Sequence, residues 1–199
     1  MATPTLETAS FLFPTNLGWM ALAWSGEKAV RLTFGHPSAA AAAASLGVEA
    51  WSATDRRDLP SWVDDLVDRL QRYSDGETIS FDDIPVDLSH LTAFQLKVVR
   101  ACRKISRGRT RSYGELAAAA GSPGASRAVG SVMAKNRLPI IIPCHRVVGS
   151  AGSLGGFSAP DGLCMKERML ALEGADQAAK KPRNTLKTRK RKTERMLLA

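Results

Sequence analysis

Cysteine is scarce in this 199-residue chain: Cys102, Cys144 and Cys164 are the whole supply. Three dispersed thiols exclude a disulfide framework and are too few for a tetrathiolate zinc site; they suit a reducing interior. Histidine is equally sparse. His36 and His90 carry no supporting motif and read as surface or packing residues. No metal site and no cofactor are therefore expected. No apolar run is long enough to span a bilayer, and no signal-peptide pattern opens the chain, so no membrane association is expected. The length admits one large or two small domains.

Against that background one segment stands out: Ile140-Ile141-Ile142-Pro143-Cys144-His145-Arg146-Val147-Val148. A strand-like apolar run is broken by Pro143, whose fixed φ forces a turn just before a cysteine. Neighbours on a strand point to opposite faces. Cys144 and His145 therefore cooperate only if the proline turn reorients them or a water bridges them. A thiol beside a base in apolar surroundings is a candidate nucleophile; an inert core cysteine is the competing reading.

Upstream lies a pair of helix signals. Ser112 and Glu115 have capping-box spacing around Tyr113 and Gly114, and an alanine-rich stretch follows to Gly121, which stops the helix. Ser122 is expected to cap a second helix, with Pro123 in its first turn, running to about Asn136. Two short helices around a Gly-containing turn form a helix-turn-helix. The second helix is lined by small residues, Ala125, Ser126, Ala128, Gly130 and Ser131, among which Arg127 is the one long cation. A major-groove reader carries several polar base-contacting side chains. Small residues with one inserted arginine suit the minor groove and base extrusion instead. Close packing on a neighbouring helix, with Arg127 in a surface ion pair, is the alternative.

Taken together, residues from about Thr92 to Gly174 resemble the C-terminal domain of the O6-alkylguanine-DNA alkyltransferases, also called methylated-DNA–protein-cysteine methyltransferases. The matching pieces are Phe94-Gln95, Thr110 to Leu116, Ser126 to Gly130, Asn136, Ile142 to Val147, Gly155-Gly156-Phe157, and Lys166 through Leu172-Glu173-Gly174, in the family's order. The resemblance implies that Cys144 accepts the alkyl group from guanine O6. It implies that His145 acts as base through a water, oriented by Glu173, and that Tyr113 donates to the departing guanine. Arg127 fills the gap left by the flipped nucleotide, with Ser112, Tyr113, Ser126 and Ala128 also at the DNA surface. Asn136 braces the turn that leads to the active-site segment. Pro139, Val147, Phe157 and Ser158 border the substrate pocket, Ser158 offering a backbone donor toward O6. The thioether product is stable, so the protein is expected to be consumed in one turnover. O4-alkylthymine stands unranked beside O6-alkylguanine as a substrate.

Three positions depart from the commoner family pattern. Phe157 replaces a frequent tyrosine, Val99 a frequent tryptophan, and Ser158 to Gly162 lengthens the loop beside the pocket. Other classes fit less well. Alkyltransferase-like damage sensors lack the cysteine that is present here. A transcription regulator has no need of Pro-Cys-His, and a cysteine hydrolase needs a separate histidine and an oxyanion site.

The remaining sequence frames this site. Phe11 to Phe34 reads as three short antiparallel strands broken at Thr15-Asn16 and Ser25-Gly26. Ser38 to Leu46 reads as a helix. Ser61 to Tyr73 reads as another, with apolar positions at 62, 63, 66, 67, 70 and 73 and with Ser61 and Asp64 capping its start. Ile79 to Ile84 reads as a strand. Thr92 and Gln95 form a capping-box pair for a helix with Phe94, Val98, Cys102 and Ile105 on one face. Leu163 to Leu172 reads as the last helix, carrying Glu173 toward His145.

The expected architecture is α+β. A small N-terminal domain (1–84) of antiparallel sheet and helices acts as scaffold, and a mostly helical helix-turn-helix domain (85–175) carries the active site. The tail (176–199) holds nine of the chain's 28 Lys and Arg against two acids, with no core-forming pattern. It is expected to be disordered and to tether the protein to phosphates. The expected partner is double-stranded DNA with alkylated bases, bound through the minor groove by a monomer. The expected location is a bacterial cytoplasm, with the nucleus as the alternative.

Overall fold

The computed structural model describes residues 8–47, 51–52, 55–150 and 153–175; the basic tail lies outside them. Three antiparallel strands open the fold: β1 (Thr8–Phe13), β2 (Trp19–Ser25) and β3 (Lys28–His36). A short β4 (Trp51–Ser52) pairs parallel to β1, giving the sheet order β3-β2-β1-β4. The turn into β2 closes through reciprocal backbone bonds between Thr15 and Gly18, at 3.2 and 3.0 Å. Gly18 has φ +96°, and an added Cβ would stand 2.9 Å from the Gly35 backbone, so only glycine fits there.

Alternation along β2 separates two packing layers. Ala21 and Ala23 face α1 (Ala39–Leu46), meeting its Ala42 and Leu46. Met20, Leu22 and Trp24 face the main core. Ser38 caps α1, its Oγ accepting from the Ala41 amide at 3.2 Å. α2 (Ser61–Ser74) buries Val63, Leu66, Val67, Leu70 and Tyr73, the periodic stripe of the sequence. Its start differs from expectation. Pro60 is the N-cap, with no side-chain cap, and its carbonyl accepts from Val63 and Asp64 at 2.9 and 3.0 Å. The Asp64 carboxylate is drawn instead to Arg56.

The expected strand at Ile79 to Ile84 is a turn. Ser80 Oγ accepts from the Asp82 amide at 3.2 Å, and Ile84 N–H donates to the Phe81 carbonyl at 3.3 Å. The guanidinium of Arg103 gathers the carbonyls of Phe81, Asp82 and Ile84 within 3.2 Å. Phe81 and Ile84 are buried at a spacing of three, which suits a turn and not a pleat. The strand-like contact falls just beyond, as a parallel bridge between Val86 and Ala29.

α3 (Ala93–Arg103) carries the full Thr92–Gln95 capping box and buries Val98, Val99 and Cys102, with Ile105 buried just past its end. β5 (Arg111–Ser112) pairs parallel to β6 (Val147–Val148). α4 (Tyr113–Ala119) also has a complete capping box, Ser112 with Glu115. Gly121, at φ +75°, ends it, the Ser122 amide reaching back to Ala117 at 2.9 Å.

α5 (Ser126–Ala134) starts later than expected. Gly124 has φ +87°, which no helix interior accepts, so Ser122 closes a separate turn to Ala125 and caps nothing. α6 (Gly162–Leu172) ends the described chain with Glu173 as its C-cap.

The two halves share one hydrophobic core, which runs from Phe13 through α2 and α3 to Met169. Backbone bonds add to the join: Leu32 N–H to the Arg137 carbonyl at 2.8 Å, and Ala29 paired with Pro85 and Asp87 at 3.0 and 2.9 Å.

Candidate active site

The segment that presents Cys144 is a braced turn. Ile140-Ile141-Ile142 is not a strand. Ile140 sits at φ +72°, and the chain folds back so that Ile142 N–H donates to the Leu138 carbonyl at 2.8 Å. All three isoleucines are buried, and that burial holds a β-branched residue in a conformation it disfavours. Asn136 bridges the turn: its amide donates to the Ile142 carbonyl at 2.9 Å, and its Oδ1 accepts from Leu138 N–H at 3.0 Å. Pro143 then leads into a single 3-10 turn, Cys144–Arg146. That turn, not a pleat, decides where the cysteine and the histidine point.

Cys144 is 8% exposed and lines a cleft of about 1080 Å³. Burial pushes its thiol pKa up. The Asn136 amide, the Lys166 charge and the backbone amides of Cys144 and His145 oppose that rise in part. In the resting protein Cys144 is a thiol, and a base must take its proton before it attacks.

His145 is fully buried. Its Nε2 stands 2.9 Å from Glu173 Oε1, while its Nδ1 has no hydrogen-bond partner among the described residues. Arg146 grips the same carboxylate, Nε to Oε2 at 2.9 Å and Nη2 to Oε1 at 2.8 Å. Burial pushes the Glu173 carboxyl up, but the bonds from His145 and Arg146 outweigh it and hold Glu173 well below the usual carboxylate range. Burial holds His145 below its ordinary value against the pull of Glu173. Glu173 is thus ionised and His145 neutral. Nε2 facing a carboxylate must carry the proton, which leaves Nδ1 as the free lone pair.

The helix pair forms another wall of the cleft. Tyr113, Ser112, Ser126 and Arg127 line it with Cys144 and Pro139. Arg127 is exposed, and its side chain makes no hydrogen bond or ion pair among the described residues. Tyr113 opens α4, half-buried. Burial and the neighbouring Cys144 push its phenol pKa up, so it holds its proton. Gly155 lies against its ring, and a Cβ there would come within 2.9 Å of it, which accounts for the glycine. Phe157 and Ser158 line the same cleft. Phe157 meets Phe34 edge-on at 6.3 Å, and Ser158 Oγ donates to the Ala134 carbonyl at 3.3 Å.

One expected pocket position falls elsewhere. Val147 is fully buried in β6 and does not line the cleft; its carbonyl receives Lys166 Nζ at 2.5 Å. Ala128, expected at the DNA surface and not in the pocket, is exposed on α5 next to Arg127.

Several further residues belong to the site although the sequence assigned them no role in it. Lys166 is fully buried, bonds the Val147 and Leu154 carbonyls at 2.5 Å each, and faces the Phe157 ring at 5.9 Å. Burial brings its pKa down to about 8. Tyr73, from α2, donates to Glu173 Oε1 at 2.8 Å. A tyrosine on an apolar helical stripe reads as core, so nothing local pointed to that contact. The cleft also draws Arg31, Thr33, Phe34 and His36 from β3, none of which the sequence had placed near Cys144. Among the described residues no group of three His, Cys, Asp or Glu could hold a metal, and no helix is long and apolar enough to cross a membrane.

Comparison with known proteins gives consistent matches. The family model described as "6-O-methylguanine DNA methyltransferase, DNA binding domain" matches residues 93–175. A methylated-DNA–protein-cysteine methyltransferase of Mycolicibacterium paratuberculosis is 47% identical over 107 residues, 54% of this chain and 62% of that protein. The protein of the same name from Mycobacterium bovis is 44% identical over 114 residues, 57% of this chain and 67% of its own length. These alignments thus span about two thirds of the relatives they match. A crystal structure of Mycobacterium tuberculosis OGT in complex with DNA superposes with a TM-score of 0.69 at 34% identity, covering 83% of this chain and 92% of that one. Sequence, fold and the cysteine turn agree, and the chain belongs to the methylated-DNA–protein-cysteine methyltransferase family.

Proposed function

We propose that this protein repairs alkylated DNA by moving an alkyl group from guanine O6 to Cys144 in one irreversible turnover. The observation that carries the reading is the Cys144 thiol on the cleft wall, one residue from a His145 whose Nε2 is held by Glu173 at 2.9 Å and whose Nδ1 is free among the described residues. The thiol proton passes through a water to Nδ1. Sγ then attacks the alkyl carbon in line, the S–C bond forming as the C–O6 bond breaks. The electron pair leaves on the guanine, which Tyr113 assists by donating from its hydroxyl. Glu173 steers the imidazole and stabilises the imidazolium.

In this reading the target nucleotide is flipped from the minor groove, Arg127 occupies its place, and Ser112, Tyr113, Ser126 and Ala128 lie along the strand. Pro139, Phe157 and Ser158 border the base. Asn136 fixes the thiol's position. Residues 1–84 support the site, 85–175 carry the chemistry, and the basic segment 176–199 adds affinity without sequence preference. The protein works as a monomer without a cofactor, in the cytoplasm, on O6-alkylguanine and on O4-alkylthymine as a second substrate.

The test is incubation with a duplex that contains one O6-methylguanine, followed by mass analysis of the intact protein and its peptides. One methyl group on the Cys144 peptide, matched by stoichiometric lesion loss, is expected. Cys144→Ala is expected to bind the lesion and transfer nothing. Binding by the wild-type protein without transfer would make it a damage sensor, and neither binding nor transfer would overturn the assignment altogether.

A further inference from the structure

The imidazole–carboxylate pair is completed from the other half of the chain. Tyr73 Oη lies 2.8 Å from Glu173 Oε1 and 3.4 Å from His145 Nε2, and the side chain is 1% exposed. Its ring has two close neighbours. Phe81 meets it edge-on at 5.8 Å, and the Arg107 guanidinium stands 5.6 Å above it. Arg107 Nη2 also bonds the Gly76 and Leu172 carbonyls at 2.8 and 2.7 Å, tying the end of α2 to the end of α6.

Glu173 Oε1 thereby receives three donors: Tyr73 O–H, His145 Nε2–H and Arg146 Nη2–H. An oxygen with two lone pairs shares itself among three donors, so each one weakens the others' hold. The short bond to Glu173 outranks the 3.4 Å approach to Nε2, which lies beyond good hydrogen-bond length.

We propose that Tyr73, supplied by the N-terminal half, is a positioning residue for the His145 base: by competing for Glu173 it limits how strongly the carboxylate favours the imidazolium, and so sets the basicity of Nδ1. The inference rests on the reading of His145 as the base in alkyl transfer. No proton leaves Tyr73. Burial and the Glu173 charge keep its phenol protonated, so it acts as a dipole. The other charged and titratable groups facing the pair are Arg146, Arg107, Lys166 and Cys144. Tyr73→Phe leaves all four in place.

The test compares wild-type protein with Tyr73→Phe, which removes one oxygen and leaves Glu173 its bonds from His145 and Arg146. The rate of methyl transfer from an O6-methylguanine duplex is measured across pH, alongside the ¹⁵N resonances of His145. Losing the competing donor raises the His145 midpoint. The acid limb of the rate profile, where the base is lost to protonation, is expected to move to higher pH by about half to one unit, the size of a single hydrogen-bond effect on a titrating group. DNA affinity is expected to stay within about twofold, since a change of this kind falls in the chemical step.

Wild-type chain carrying fluorotyrosine, a stronger hydroxyl donor, is expected to shift the His145 midpoint the other way. Tyr113 is the only other tyrosine, and it makes no hydrogen bond to His145 among the described residues. A lower rate at every pH with unmoved midpoints would overturn the proposal, leaving Tyr73 a packing residue; so would no change at all. Failure of the repair reading itself is seen separately, as a wild-type protein that transfers no methyl group. The ¹⁵N midpoints report on Tyr73 in either case.

Discussion

Glu173 accepts four hydrogen bonds from three residues: Tyr73, His145 and two from Arg146. An ionised carboxylate so held is a source of pH-dependent stability. Its folded pKa lies below the usual carboxylate value near 4.5. The folded state therefore binds this proton less readily than the unfolded chain. The stabilisation is fully present above the ordinary value and is lost as pH falls below it toward the folded pKa. Urea unfolding midpoints are expected to fall more steeply between about pH 5 and pH 3 in the wild type than in Glu173→Gln, which has no such proton to take up. At neutral pH Glu173→Gln is expected to be less stable by about 3 kcal/mol, because it leaves the largely buried Arg146 without its counter-charge.

At the scale of elements, the turn between α5 and Cys144 holds one of the two non-glycine residues at positive φ among the described residues, Asp161 before α6 being the other. Ile140 at φ +72° is a β-branched residue in the left-handed region, which costs roughly 1–2 kcal/mol. The same side chain is 2% exposed, and truncating a buried isoleucine costs about 2–5 kcal/mol. Burial is the larger effect. Ile140→Gly is therefore expected to destabilise, by roughly 1–3 kcal/mol, although it relieves the backbone. A denaturation midpoint above that of the wild type would show that backbone strain outweighs burial at this position. The capping boxes of α3 and α4 were legible from four residues each, because a cap is local chemistry. The late start of α5 was not, since Gly124 settles it through a backbone angle that the Ser122-Pro123 signal does not report.

At the scale of the molecule, the two halves do not behave as separate cores. One cluster runs from Phe13 in β1 to Met169 in α6. Arg107 and Tyr73 join α2 to α6 at the site, and β3 supplies part of the cleft wall. Unfolding is accordingly expected to be one cooperative transition, with calorimetric and van't Hoff enthalpies equal and with tryptophan fluorescence and far-ultraviolet dichroism coincident. Two resolved transitions would mean that the shared core contributes little coupling.

The Pro-Cys-His-Arg segment, the two capping boxes, the α2 stripe and the three opening strands were all readable in the sequence. Each depends on residues close together along the chain, where hydrogen-bond reach and side-chain period leave few options. The family resemblance drew on the same local pieces. Tertiary structure alone decided that the apolar run before Cys144 folds back on itself, that Val147 belongs to the core, and that Phe81 and Ile84 sit in a turn. It also decided that Lys166 is buried and that Tyr73 meets a carboxylate one hundred residues away. Those outcomes turn on which buried surfaces and polar groups meet across the fold, and no local pattern encodes a partner that arrives from the other half of the chain.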